Sequence, residues 1–424
     1  MKAFVFTLTL TLSLMLQVDY PAYAAGLKAA KPERVGVSSE RLQRLNELAD
    51  KYVAEGSYSG IVTMVARNGK IIHSNAAGTY GVNDETPMAD DTLFRIYSMT
   101  KPVTAVAAMV LYEQGKFHLD DPVAKYLPEL ADLKVLKDGE MVDPMQPATM
   151  RHLLTHTAGM TYGWTADNPV DKQYAEAKLF ASKDLDEFIG KLAEIPLRFE
   201  PGSRYFYSVS FDVLGAAIER ISGTTLDKFM HQNIFAPLGM HDTFFEVPAD
   251  KMHRLASDQR WDHENNKIAT IAPEHSRPFD KVGMYAGGGG LVSTIGDYMR
   301  FCQMVLNGGS LDGVRILGPK TVALLSSDQL TPKVRAEGVG QYPLLDLYPG
   351  QSMAFAYGVV TDPDVMPDIA SQGELSWGGV AGTKFWIDPK EKLIAIAMVQ
   401  LYESPQKLRF DLKSAIYPAL TELY

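Results

Sequence analysis

The run Tyr97-Ser98-Met99-Thr100-Lys101-Pro102 places a hydroxyl and an amine three residues apart. On a helix such residues share one face, with Cβ atoms about 5–6 Å apart. A serine hydroxyl is a weak nucleophile at neutral pH and needs a base beside it. A lysine can be that base once burial or a second cation lowers its pKa. A helix N-terminus adds partial positive charge and unbonded N–H groups that suit an oxyanion. The pattern alone also fits a helix N-cap followed by a solvated lysine. A second copy, Ser404-Pro405-Gln406-Lys407, reads as nothing more than a cap with proline at the first helical position.

The elements that would position Ser98 can be read from periodicity. Val103, Val106, Ala107, Val110 and Leu111 recur at helical spacing directly after Lys101, so Ser98 belongs at a helix start. Upstream, Ser38 or Ser39 caps a helix carrying Leu42, Leu45, Leu48, Ala49 and Tyr52, which Gly56 ends. Residues 61–66 and 70–73 read as strands joined by the hairpin signal Asn68-Gly69. Residues 131–148 read as an irregular excursion, with Asp138-Gly139 as a turn. Thr149 caps a short helix over Met150–Leu154. Further helices are marked by Leu185 to Leu192, by Val213 to Ile221 ending at Gly223, and by Leu226 to Phe235. Residues 383–387 and 392–399 read as strands around the turn Asp388-Pro389-Lys390-Glu391, followed by a helix from Ser404 to about Leu420.

Strands at both ends with helices between them imply an α+β fold. Its antiparallel sheet is built from both chain ends, with flanking helices and a helical subdomain inserted at roughly 98–245. Ser98 then sits where the two parts meet, a usual place for a cleft. The run Gly287-Gly288-Gly289-Gly290 lacks the endings of phosphate and dinucleotide loops, so close backbone packing is its reading.

Composition narrows the classes. The chain has 424 residues, 46% of them hydrophobic, and a formal net charge of −10, which argues against nucleic acid and anionic membranes as partners. The single cysteine, Cys302, excludes an internal disulfide framework and a cysteine zinc site, and its apolar surroundings mark it as buried. Residues 1–24 read as a secretory signal: Lys2, an apolar run from Phe4 to Leu16, and Ala22-Tyr23-Ala24 as cleavage site. The expected mature chain is residues 25–424, periplasmic or secreted, with an uncleaved anchor as the alternative. His152 and His156 have the i, i+4 spacing of a metal pair but no intervening glutamate in His-Glu-x-x-His form, so no metal is expected and His156 is assigned to fixing its loop. No cofactor is expected.

Two more motifs follow Ser98 in order: Tyr207-Ser208, ahead of the helix from Val209, and Trp377-Gly378-Gly379-Val380, ahead of the last strands. Ser-x-x-Lys, Tyr-Ser and Trp-Gly-Gly in this order resemble the serine β-lactamase-like superfamily, relatives of class C β-lactamases and D,D-peptidases, and above all its family VIII carboxylesterase branch. Leu119 to Val123, Leu153 to Gly159, Phe211 to Gly215, Gly288 to Leu291 and Phe385 to Pro389 also look like the family. The resemblance implies a β-lactamase/transpeptidase-like fold. It also implies Ser98 as acylated nucleophile, Lys101 and Tyr207 as proton-transfer partners, and the backbone N–H groups of Ser98 and Val380 as oxyanion hole. For Tyr207 to act as a base its pKa must fall. Trp377, Gly378 and Gly379 would edge the cleft, and Tyr162 and Trp164 would line it.

Two positions depart from the lactamase pattern: Val209 stands where lactamases carry asparagine, and Trp377 where they carry lysine. Both changes favour a neutral ester over a β-lactam. The expected function is a secreted serine hydrolase of small-molecule carboxylic esters, without a stable membrane partner. Within the same fold the alternatives are a β-lactamase, a D,D-peptidase or D-amino-acid amidase working on an amide, and a transacylase. Outside enzymes, the alternative is a penicillin- or muropeptide-binding sensor that acylates without turnover.

Overall fold

Strands whose every residue is buried need cover on both faces of their sheet. Two such strands, β2 (Gly60–Arg67) and β8 (Leu393–Met398), lie side by side at the centre of this molecule. The computed structural model describes residues 27–165, 168–272, 276, 278–336 and 347–424. The expected signal segment, residues 1–24, lies outside the described residues. Among the described residues no helix is long and apolar enough to cross a membrane.

The main sheet has nine strands. In chain order they include β1 (Lys28–Ala29), β2, β3 (Lys70–Gly81), β4 (Gln351–Met353), β5 (Gly358–Val360), β6 (Leu375–Gly378), β7 (Lys384–Asp388) and β8. Their spatial order is β1-β3-β2-β8-β7-β6-β5-β4, with the short strand Asp84–Pro87 paired to β3. All neighbours are antiparallel except β1 and β3. The sheet is thus built from both chain ends, joined where Leu393 pairs with Arg67 and Met398 with Val62. Asn68 and Gly69 both take positive φ, 52° and 68°, as the tight β2–β3 hairpin requires.

Strand alternation divides the core. Ile61, Val65, Trp386, Ala395 and Ala397 pack beneath α1 (Arg44–Ala54) and α5 (Leu408–Ile416). Val62, Met64, Phe385, Ile387, Ile394 and Ile396 face the larger cluster holding α2 (Thr100–Glu113), α3 (Ser210–Ser222) and α4 (Ile295–Leu306). Residues 98–245, expected to be mainly helical, hold α2, α3 and the helices Met150–Leu154, Pro169–Ala177, Leu185–Ala193 and Leu226–Met230.

Several expectations are corrected. The last helix starts at Leu408, not Ser404; the Ser404 hydroxyl donates to Tyr58 and accepts from the Gln406 N–H, so it closes a turn instead of capping a helix. Residues 131–148 are not wholly irregular: Val135–Lys137 and Glu140–Val142 form a hairpin around Asp138-Gly139. Strand β3 runs on to Gly81, because Ser74 to Gly78 pair with the remainder of β2 and Thr79 and Gly81 with Asp84–Pro87. Ser38 caps only the short turn Ser39–Leu42, after which α1 starts afresh.

One buried cation fastens the chain ends. The Arg67 guanidinium is fully buried and donates to Val35 O, Gly36 O, Glu391 O, Glu422 O and the Glu391 carboxylate at 2.7–3.1 Å. Removing one partner of such a pair leaves a buried charge uncompensated. Arg67→Met is expected to lower unfolding stability by about 3–5 kcal/mol in urea titrations, and adding Glu391→Gln to recover part of that loss.

Candidate active site

Ser98 lies in a 3-10 turn, Tyr97–Met99, that runs straight into α2. Every residue from Thr100 to Leu111 is buried, so α2 is a central helix with apolar cover all round. The turn is held from several sides. Arg95 pairs with Val292, the Thr100 hydroxyl accepts from Leu291 N, and the Tyr298 hydroxyl donates to Met99 O. Tyr97 takes a φ of 42°, in the left-handed region that a tyrosine seldom adopts, and its hydroxyl is bonded to that of Tyr402. That conformation sits one residue before the nucleophile candidate.

Lys101 comes up beneath Ser98. Its Nζ donates to Ser98 Oγ at 3.2 Å and to the Gly288 carbonyl at 2.6 Å, and it lies 4.6 Å from the Tyr207 ring centre and 5.5 Å from that of Tyr162. Burial pushes its pKa down to about 7, against the opposing pull of the Asp212 carboxylate. Asp212 is itself buried in the first turn of α3 and accepts from Gly288 N at 2.9 Å. One residue therefore serves both charges: the Gly288 N–H meets Asp212 and its C=O meets Lys101.

The glycine run makes this contact possible, by close packing as expected. A Cβ on Gly287 would fall 2.4 Å from Phe211 O, and one on Gly288 would fall 2.6 Å from the Asp212 carboxylate. The Thr104 hydroxyl pins Gly287 O to α2 at 2.7 Å.

Tyr207 completes the group. Its hydroxyl donates to Ser98 Oγ at 2.7 Å. The residue is buried just ahead of α3, and His156 fixes it: Phe206 N donates to His156 O and Ser208 N to His156 Nδ1, while the two rings sit 4.6 Å apart. Burial holds the His156 imidazole neutral, well below its ordinary pKa. His152 is occupied elsewhere, in a reciprocal cap with Thr149. Among the described residues no group of three His, Cys, Asp or Glu side chains could hold a metal ion.

Tyr207 does not meet the condition set for a base. Its pKa is raised, not lowered: burial outweighs the opposing influence of Ser98 and Trp377, and the Asp212 carboxylate adds to the rise. Trp377, standing where relatives offer a second cation, brings no charge to reverse this. The phenol is therefore held protonated, as a donor.

The end of β6 supplies the fourth side. The Trp377 ring lies 5.8 Å from that of Tyr207. Gly378 pairs with Lys384 and turns its Cα toward that ammonium, on the opposite face from Trp377. A Cβ on Gly379 would lie 2.6 Å from Ile96 O, so glycine is what lets this strand end reach the Ser98 turn. Val380 follows in a turn closed by Gly382 N to Gly379 O. Among the described residues neither Ser98 N nor Val380 N donates to a protein acceptor. Tyr162 and Trp164 stack at 4.5 Å and lie 5.4 and 6.3 Å from the Tyr207 ring.

Of the site residues picked from sequence, Lys101 and Tyr207 thus bond the Ser98 hydroxyl, Tyr162, Trp164 and Trp377 lie against the Tyr207 ring, Gly379 packs on the Ser98 turn, and Gly378 faces the back of the strand. Sequence reading quoted Asp212 without giving it a role. The available signal was a carboxylate in the first turn of an otherwise apolar helix, which demands a buried partner.

This arrangement can be set against known proteins. A family model described as Beta-lactamase matches residues 45–416. The chain belongs to the β-lactamase family. Within it, the sequence is 37% identical over 354 residues to Protein Rv1367c of Mycobacterium tuberculosis, covering 81% of this chain and 86% of that protein. It is 31% identical to esterase EstB of Burkholderia gladioli, over 88% of this chain and 94% of that one. Among solved structures, EstCE1, a hydrolase with promiscuous acyltransferase activity, superposes with a TM-score of 0.75 at 28% identity, over 89% of this chain and 99% of that one. Unliganded simvastatin synthase LovD of Aspergillus terreus, as its selenomethionyl derivative, gives 0.78 at 26% identity, over 90% and 98%. The fold is that of the β-lactamases, and the chain stands near the family VIII esterases in a serine hydrolase family.

The packing makes one prediction about the glycine run. Gly287→Ala is expected to lower both the melting temperature and the activity, since the new methyl meets backbone. Gly289→Ala, whose Cβ would find its nearest neighbour at 3.7 Å, is expected to change the melting temperature little. Thermal unfolding of the two variants side by side checks this.

Proposed function

We propose that this protein hydrolyses carboxylic esters through an acyl-enzyme on Ser98. The observation that carries the reading is the position of Ser98 Oγ, between an amine whose pKa is about 7 and a phenol held protonated. Neutral Lys101 takes the proton as Oγ attacks the ester carbon. The oxyanion that forms lies against the N–H groups of Ser98 and Val380. As the tetrahedral adduct collapses, the leaving alkoxide takes its proton from the Tyr207 hydroxyl, and the Lys101 ammonium restores that proton to the phenol. Water then repeats the sequence in reverse on the acyl-enzyme. Lysine is the base of acylation in this reading, and tyrosine the donor to the leaving group.

Two features favour esters over β-lactams. Val209 is fully buried and cannot present an amide to substrate, and Trp377 brings an apolar wall in place of a cation. The relationship to esterase EstB supports the same class. Acyl transfer is the second reading, supported by the likeness to EstCE1 and LovD. It uses the same acyl-enzyme, with an alcohol replacing water.

Ser98→Ala is expected to lower kcat/KM for a short-chain chromogenic ester by at least about 10³-fold. Intact-mass measurement should find the acyl adduct on wild type alone. Retention of full activity by the variant ends the proposal. A chromogenic cephalosporin in parallel should turn over far more slowly, and added alcohol should divert product to a new ester if transfer operates.

The pH profile tests who the base is. Protonated Lys101 is inactive, and its lowered pKa puts deprotonation near neutrality. The kcat/KM is therefore expected to rise about tenfold per pH unit below about 7 and to level off above it. No rise belonging to a tyrosinate should follow at higher pH. A profile that instead climbs only with tyrosine ionisation would move the role of base to Tyr207.

A further inference from the structure

We propose that the site selects esters that carry a flat aromatic ring, and that Trp164 and Phe180 make the selection. The inference rests on the esterase reading above and adds the substrate class.

Three rings stand nearly parallel, two of them beside Tyr207. Tyr162 and Trp164 lie 4.5 Å apart at an interplanar angle of 7°, and Phe180 lies 6.1 Å from Tyr162 at 22°. Phe180 is carried outward by Lys178, whose φ of 47° turns the chain sharply, and is backed by the buried Phe188. The stack is not an ordinary part of the core. Trp164 is 53% exposed and Phe180 51% exposed, where side chains of this size are usually covered. Two half-exposed aromatic residues in one stack form a contiguous apolar rim, the kind of surface that marks a binding site.

The rim is continuous with the reacting atoms. Tyr162 and Trp164 lie against the Tyr207 ring, whose hydroxyl is 2.7 Å from Ser98 Oγ, and the Trp377 ring lies 5.8 Å from the same ring. A group leaving Ser98 in this direction runs along ring faces, not along aliphatic side chains. An alkyl chain gains only buried area there. A planar ring gains in addition the offset or edge contacts that aromatic pairs prefer. Tyr162 and Trp164 share the stretch 161–165 and Phe180 lies in the turn Leu179–Ala181, and the stacking of these rings on one another sets their orientation before substrate arrives.

The test uses two matched pairs of esters that differ in ring aromaticity and little in intrinsic reactivity. Benzyl acetate and cyclohexylmethyl acetate carry the ring on the alcohol. Methyl phenylacetate and methyl cyclohexylacetate carry it on the acid. Wild type is expected to favour the aromatic member of at least one pair by about 3- to 10-fold in kcat/KM. Trp164→Ala and Phe180→Ala should each bring that ratio toward one, and Trp164→Phe should keep most of it. A wild-type ratio near one in both pairs overturns the proposal, as does a preference that survives both alanine variants. If no ester is turned over, saturation-transfer NMR on Ser98→Ala decides the matter independently. Tighter binding of benzyl acetate than of cyclohexylmethyl acetate, lost on adding Trp164→Ala, upholds ring selection and sinks only the esterase reading. Equal binding sinks ring selection.

Discussion

A lysine ammonium buried without a carboxylate against it is the constraint on which the rest of the site depends. Removing an ammonium from water costs several kcal/mol. A direct ion pair would offset that cost but would also restore a high pKa and leave no base. Here Lys101 Nζ meets a carbonyl dipole, a hydroxyl and two ring faces, and the Asp212 carboxylate is engaged with the N–H of the same residue that offers the carbonyl. Charge is stabilised enough to keep the fold and too little to hold the proton much above neutral pH.

That balance explains the surrounding architecture. The Gly288 peptide can pass between Lys101 and Asp212 only because neither it nor Gly287 carries a Cβ. The α2 helix can be apolar on every side because its one cation is satisfied by backbone. Tyr207 feels the same dry surroundings with the opposite sign: burial that weakens the ammonium also weakens a phenolate. A single environment thus shifts two neighbouring groups in opposite directions, the amine down and the phenol up, and favours the neutral form of both.

Much of this was legible in the sequence, for reasons that differ from residue to residue. The helix after Ser98 was marked by dense apolar spacing, the β2–β3 hairpin by Asn68-Gly69, and the last two sheet strands by β-branched and aromatic runs. The order Ser98, Tyr207, Trp377 carried the family. Strands β4 and β5 were silent because three-residue strands show too little alternation to read. The start of α5 was misplaced because a Ser-Pro pair makes a turn as readily as a cap. Asp212 and Phe180 received no role because each acts across long sequence separation, and local pattern says nothing about which distant group a side chain meets. Whether Tyr207 meets the condition for a base was open for the same reason, since the direction of its shift is set by burial and by Asp212 and not by its neighbours in the chain.

The pairing of β2 with β8 bears on how such a protein comes into being. The centre of the sheet unites segments from the two ends of the chain, locked by Arg67 to Glu391, 324 residues away. A nascent chain emerging from the ribosome cannot close its core until nearly the last strand has been made, and contacts of such separation form slowly. The Ser98 helix would exist before then, but the strand end that brings Trp377 and Val380 to it would not. The surroundings of Ser98 are therefore complete only when the sheet is: a prematurely terminated chain lacks the strand end that carries Trp377 and Val380.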